Sequence, residues 1–306
     1  MDSYKLVISA LGTENELHIW GEDAKTIVYC LEEKIHELEA MFSYYKEESD
    51  IGRINRNTSK EYINVSDEVF EVIRKAVATY EECPCFNVLM RPMLNLWYEN
   101  QNNLSFYQKM KIKKLIDMNG IETKAPNYIR LGLHQQLDLG GIAKGYIADR
   151  LMDEAKRLGA WKAIINLGGD IGLIDTNNNL FTVGIRNPFD KEEVLLSLSL
   201  SNKAISTSGI YERYNPNLGI DAHHIVDTRK VAPVSNNLMS VSVIANTVMD
   251  ADIYATIFLI LGIKQSMTFI KKHHLEVIFI TKDHEVIATS TLEKKITETK
   301  IAIHFI

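Results

Sequence analysis

Cysteine is scarce in this chain, with three in 306 residues: Cys30, Cys83 and Cys85. So sparse and odd a set excludes a disulfide framework, and Cys83-Pro84-Cys85 is too tight for a zinc knuckle. The three read as buried or incidental thiols. Positive charge is also short. Lys and Arg number 34 against 40 Asp and Glu, a net charge of −6. That balance excludes a general nucleic-acid binder. No apolar run is long enough to span a bilayer. The opening MDSYKLVISALG has neither the basic start nor the apolar length of a secretory signal, so a cytoplasmic location is expected. Internal repeats, low-complexity tracts and long linkers are missing. So are the Walker spacing and G-x-G-x-x-G.

What is present is the make-up of a soluble globular protein: 46% hydrophobic and 24% charged residues, with length for one large domain or two intimate halves. Residues 4–10 and 16–20 alternate as two strands around Gly12-Thr13, a hairpin. Helical spacing covers residues 23–41, 65–83, 105–118 and 146–158. Residues 42–57 are polar and without a clean period, and read as a loop. The segment from Pro84 to Asn100 is apolar with two prolines and reads as buried and irregular. Beyond residue 160 strands dominate, at 163–166, 181–186, 194–200, 203–207, 222–226 and 239–244. Helices follow at 247–261 and 264–272, then strands at 275–281, 285–289 and 296–303. Strands in runs with helices in blocks predict an α+β fold rather than a doubly wound sheet.

Three stretches carry possible chemistry. Residues 137–149 read LDLGGIAKGYIAD, an acidic residue and two glycines feeding a helix, with Lys144 in its first turn. This is either a cradle for an anion or a tight strand-to-helix turn. Helix 247–261 opens on Thr247 as N-cap and places Asp252 and Thr256 on one face. They supply oxygen ligands for a hard cation such as Mg²⁺, or Asp252 only complements the helix dipole, for about 0.3–1 kcal/mol. His223 and His224, with Asp227 three positions on from the second, offer a general base or a structural histidine. Ser206-Thr207-Ser208-Gly209 suits an anion contact or a turn.

Taken in order, SYYKEESDIGRIN, LNLW, LDLGGIAKGYIAD, INLGGDIG, AISTSG, HHIVD and DADIYATIFLILG resemble one family over nearly the whole chain. It is the ApbE family of flavin transferases, the FAD:protein FMN transferases. The resemblance implies a single domain over residues 1–306. Its fold would be α+β and T-fold-related, with mixed sheets, packed helices and two interleaved halves. It also implies FAD as donor, Mg²⁺ at its pyrophosphate, and transfer of FMN to a Ser or Thr hydroxyl of an acceptor protein with release of AMP. Carried over residue by residue, the metal ligands are Asp252, Thr256 and the carbonyl of Gly141. The cofactor-binding positions are Leu11, Tyr45, Cys85, Phe86, Asn87, Asp138, Lys144 and Val226. His224 and Asp252 are the expected catalytic residues, His224 as the base toward the acceptor hydroxyl.

This sequence departs from the family pattern in places. Where the family has D-P-x-T-G after the histidine, Asp227 is followed by Thr228, Arg229, Lys230 and Val231. The family aspartate after Phe86 is Asn87. Two alternative readings of the same residues stand beside the transferase: a Mg²⁺-dependent FAD pyrophosphatase yielding FMN and AMP, and a non-catalytic flavin-binding protein.

Overall fold

A computed structural model describes residues 2–57, 61–99, 104–211 and 225–306, apart from the side chains of 97–99 and 191. The alternation near the N-terminus forms the expected hairpin. β1 (Ser3–Ala10) and β2 (Thr13–Trp20) pair antiparallel, and Leu11 and Gly12 make the return at φ 57° and 73°. Positive φ at both central residues is what a two-residue hairpin of this twist requires. α1 (Ala24–Phe42) follows, burying Ile27, Leu31, Ile35 and Leu38 on one face.

The loop expected at 42–57 instead contains α2 (Asp50–Arg56). The Ser49 hydroxyl accepts from Gly52 N–H at 2.8 Å, and Ile51 and Ile54 are buried. A helix this short spans too few turns for its apolar period to show. β3 (Ile63–Asn64) precedes α3 (Asp67–Glu82), capped by Ser66. The segment read as irregular contains α4 (Arg91–Glu99), with Pro92 in its first turn, where a missing N–H costs nothing. α5 (Phe106–Leu115) opens with a capping box of Ser105 and Gln108. β4 (Glu122–Lys124) and β5 (Tyr128–Arg130) complete a small sheet with β3.

α6 (Ala143–Arg157) starts three residues ahead of the expected helix. β6 (Lys162–Leu167) and β7 (Asp170–Asp175) then form a hairpin. β8 (Phe181–Asn187), β9 (Asp190–Leu200) and β10 (Ala204–Gly209) follow. β11 (Val226–Asp227) and β12 (Ala232–Pro233) make a two-stranded ribbon, and β13 (Leu238–Ala245) leads into α7 (Val248–Leu261) and α8 (Ile263–His273). The chain ends with β14 (Glu276–Thr281), β15 (Val286–Ala288), β16 (Ile296–Thr299) and β17 (Ile303–Phe305).

The chain divides into two compact units whose segments alternate along it. The first comprises Met1–His36, Lys144–Glu212 and Asn236–Ile306; the second comprises Glu37–Ala143 and Arg213–Ser235. The first holds a nine-stranded sheet in the order β1-β2-β6-β7-β10-β13-β14-β15-β17, antiparallel except for β15 with β17. A three-stranded sheet, β16-β9-β8, packs Phe181, Val183, Ile185 and Leu198 against Ile205, Ile244, Ile278 and Ile280 of the large sheet. α7 lies over β10 and β13. β13 is buried at every position, as a strand covered on both faces must be. α7 is apolar nearly all round, the pattern of a buried helix. The second unit holds α2–α5, the small sheet and the ribbon. Among the described residues, no helix is long and apolar enough to cross a membrane.

Candidate functional site

The first unit assembles its polar cluster through one hairpin and one helix crossing. Gly168 and Gly169 turn β6 into β7 at φ 65° and 103°, and the Asn166 side chain accepts from Gly169 N–H at 2.8 Å. The turn sets Asp170 at the start of β7, where it is buried. Its carboxylate accepts from the Lys144 ammonium and the Ser206 hydroxyl. Lys144 lies in the first turn of α6, as expected. Next to it, Gly145 meets the start of α7. A Cβ there would sit 2.6 Å from the Met249 Cα and 2.7 Å from the Val248 carbonyl oxygen, so only glycine permits this approach.

Three contacts follow from that crossing. Gly145 N–H donates to the Asp252 carboxylate at 3.2 Å. The Asp149 carboxylate accepts from Val248 N–H at 2.8 Å and from Met249 N–H at 3.0 Å, capping α7 from a neighbouring helix. The Thr247 hydroxyl adds the expected local cap, accepting from Asp250 N–H at 3.2 Å. One turn on from Asp252, the Thr256 hydroxyl lies 3.0 Å from that of Ser208 on β10.

Electrostatics single out the two carboxylates of this crossing. Burial, reinforced by the charge of Asp170, pushes Asp252 up to about 7 against the opposing pull of Lys144 and the Gly145 N–H. Burial likewise lifts Asp149 to about 6, although Met249 and Val248 N–H groups favour its charged form. Two buried carboxylates, Asp170 and Asp252, thus share one lysine. That excess negative charge, with the hydroxyls of Thr256 and Ser208, is a hard oxygen donor set of the kind Mg²⁺ takes. Among the described residues no group of three or more His, Cys, Asp or Glu forms a metal cluster. A cation here would have few protein ligands, which suits Mg²⁺.

The second unit gathers a different set. The Arg91 guanidinium lies 4.0 Å from the centre of the Tyr44 ring, and its Nη1 approaches Asp138 Oδ2 at 3.4 Å. Tyr45 stands edge-on to Tyr44 with centroids 5.5 Å apart and is 81% exposed. The Arg91 Nε is buried without a hydrogen-bond partner. An exposed ring near a partly exposed guanidinium suits a planar, anionic ligand such as a flavin nucleotide. Asn55 holds this set in place: its amide accepts from Leu137 N–H at 2.7 Å and donates to the Leu137 carbonyl at 3.0 Å. Gly141 lies in the turn where Ile142 and Ala143 N–H both donate to the Leu139 carbonyl.

The departures from the family pattern acquire physical reasons. The buried Asn87 amide donates to the Ile116 carbonyl at 2.7 Å and accepts from Leu89 N–H at 2.8 Å. A carboxylate would set its charge against that carbonyl. Asp227 is forked by Arg229, with Nε and Nη2 both at 2.9 Å. Burial alone would raise Asp227, but Arg229 outweighs it and lowers the carboxyl. Lys230 N–H closes the turn on the Asp227 carbonyl at 3.1 Å, and Val231 takes φ 51° where the family has glycine. A β-branched residue there bears strain, offset by complete burial of its side chain.

Of the remaining expected residues, Cys85 and Phe86 are buried in the turn after α3, and Val226 pairs with Pro233 across the ribbon. Leu11 sits in the β1–β2 turn of the first unit. His223 and His224 lie outside the described residues. Sequence reasoning missed Asp149, Asp170 and Arg91. The signal for Asp170 was an acid directly after a Gly-Gly turn; Asp149 and Arg91 carried none without the tertiary contacts.

Compared with solved structures, this is the fold of the ApbE proteins. It superposes on the ApbE protein of Thermotoga maritima with a TM-score of 0.87 at 25% identity, covering 97% of this chain and 100% of that one. The flavin transferase ApbE of Vibrio cholerae shares the fold at a TM-score of 0.83 and 22% identity, with coverage of 96% and 99%. Residues 11–279 match the model of the ApbE family, and the chain belongs to that family. A relative named FAD:protein FMN transferase, from Klebsiella pneumoniae, is 29% identical over 94% of this chain and 92% of its own length.

Proposed function

We propose that this chain is an FAD:protein FMN transferase, one domain over residues 1–306 that moves the FMN half of FAD onto a Ser or Thr hydroxyl of an acceptor protein. The observation that carries the reading is the cluster of half-buried Lys144 and Thr256 with buried Asp170 and Asp252. Its one ammonium, two carboxylates and one hydroxyl are groups that would hold a pyrophosphate and a divalent cation together. Asp252 and Thr256 would hold Mg²⁺, with Gly141 as the expected backbone ligand just ahead of Lys144 in the chain. When bound, the cation neutralises charge on the pyrophosphate.

The chain's own residues supply the rest. Asp170, itself held by the Ser206 hydroxyl, fixes Lys144, whose ammonium would meet a phosphate oxygen. Phosphoryl transfer depends on such positioning more than on covalent chemistry from the enzyme. By the family resemblance, Tyr45, Phe86, Asn87, Asp138, Leu11 and Val226 would contact the flavin, Tyr45 and Phe86 through their rings. His224 takes the proton from the acceptor hydroxyl as it attacks the phosphorus on the FMN side, and AMP leaves. Loss of such a base costs roughly 10²–10⁴-fold.

The test is incubation with FAD, Mg²⁺ and a candidate acceptor protein, followed by a denaturing gel and assay of AMP. Fluorescent flavin retained on the acceptor, with AMP in equal amount, is the expected result. FMN and AMP without label would replace the transferase with a pyrophosphatase. Intact FAD would leave a flavin-binding protein.

A further inference from the structure

The proposed chemistry makes no use of the thiol chemistry of Cys83 and Cys85. Their geometry makes them a pair. Cys83 closes α3, its N–H donating to the Thr79 carbonyl at 2.8 Å. Pro84 then turns the chain so that Phe86 N–H donates to the Cys83 carbonyl at 3.0 Å. This brings both side chains to one side of the turn, with the two Sγ atoms 3.0 Å apart. Both residues are buried, at 4% and 1% exposure. Within the contact the roles are unequal. The Cys85 S–H and N–H, with help from Arg229, lower the Cys83 thiol to about 7, while the same contact and burial raise that of Cys85. Cys83 is therefore the readier nucleophile and Cys85 the thiol that follows.

We propose that Cys83 and Cys85 are a reversible oxidation site, closed to a disulfide by hydrogen peroxide, and that closure weakens flavin binding beside Phe86 and Asn87. The Cys83 thiolate attacks a peroxide oxygen, the O–O bond breaks, and a sulfenic acid and one water result. The Cys85 sulfur then attacks the Cys83 sulfur. The S–S bond forms, the S–O bond of the sulfenic acid breaks, and the Cys85 proton leaves with the hydroxyl as a second water. The peroxide accepts both electrons, and a dithiol reductant returns them. With both thiols buried, the oxidant must be small, and bulky disulfides are excluded. Closure must shorten the sulfur separation from 3.0 Å to about 2.05 Å. Pro84 leaves the turn little freedom to absorb this, so the movement passes to Phe86, whose N–H is bonded to the Cys83 carbonyl. The gating half rests on the flavin-transferase reading; the oxidation site does not.

The test uses the full chain, reduced and desalted, treated with hydrogen peroxide, quenched, alkylated and mapped by mass spectrometry. Partly exposed Cys30, in α1, is the internal control. The expected map shows a Cys83–Cys85 disulfide that dithiothreitol reverses, with Cys30 alkylated throughout. FAD titration should show the oxidised form binding about tenfold more weakly, an ordinary coupling between neighbouring sites. Cys83→Ala and Cys83→Ser should bind as the reduced protein does, with or without peroxide. Both thiols alkylated after peroxide, or Cys83 driven to sulfinic acid, would overturn the site. A disulfide with unchanged FAD affinity would overturn the gating. No FAD binding by the reduced protein would overturn the flavin reading and the gating together, while the mass map still decides the oxidation site.

Discussion

Replacing Asp149 with asparagine separates two effects that oppose each other at the start of α7. Helix N–H groups at 2.8 and 3.0 Å favour the carboxylate, and burial favours the neutral acid. Burial prevails, lifting the carboxyl from 3.8 to about 6. Because the folded state holds this proton more tightly than the unfolded chain, the linked stabilisation is fully present below pH 3.8 and is lost as pH rises through about 6. A displacement of that size corresponds to about 3 kcal/mol. The introduced amide cannot titrate but keeps one acceptor oxygen. The stability of the wild type minus that of Asp149→Asn should therefore fall by about 2–3 kcal/mol between pH 4 and pH 7. Taking the difference cancels the other titrating groups. Urea unfolding at several pH values supplies it, provided the slopes of the two proteins match. A difference that stays flat, or grows with pH, would refute the reasoning and show that the helix N–H groups outweigh burial.

Gly145→Ala should lower stability by about 1–3 kcal/mol, because its methyl meets Met249 and Val248 backbone rather than a side chain that could rotate away. A thermal melt at the wild-type temperature would show that α6 and α7 can slide apart. Asp252→Asn should keep the fold by circular dichroism and lose FMN transfer by about a thousandfold, the rate equivalent of several kcal/mol of cation-dependent stabilisation. Retained Mg²⁺-dependent turnover would remove Asp252 from the metal site. Val231→Gly relieves about 1–2 kcal/mol of backbone strain but gives up about 1.5–3 kcal/mol of side-chain burial. A slight net loss in denaturant midpoint is expected, and a marked gain would show that the side chain contributes little.

Much of the fold was legible in the sequence, and what escaped it did so for definite reasons. α7 announced itself through Thr247, Asp250 and an unbroken apolar run closed by Gly262. α2 did not, because Ile51 and Ile54 are its only buried large side chains. β7 was hidden because Gly168-Gly169-Asp170 looks like a ligand loop until its register with β6 is seen. The site divides the same way. Lys144, Asp252 and Thr256 stood out as candidates by residue type and spacing. Asp149 and Asp170 were not, since their work depends on contacts between residues far apart in the chain. Ser49 and Asn55, in the stretch read as a loop, cap a helix and hold the Leu137 backbone. Asn87 was visible as an oddity, but its cause is a carbonyl at Ile116.

The alternation of the two units along the chain has a consequence for biosynthesis. A ribosome delivers the chain N-terminus first, at about 5–20 residues per second. The β1–β2 hairpin emerges early, yet its sheet neighbour β6 follows only after the whole Glu37–Ala143 segment. That segment in turn waits for Arg213–Ser235, and the first unit waits for β13 and the strands beyond it. Neither unit can close until residues beyond Glu212 have been made: Arg213–Ser235 for the second and Asn236–Ile306 for the first. Nascent chains stalled before residue 235 should be protease-sensitive throughout, and cutting the gene at any single point should yield no fragment equivalent to either unit.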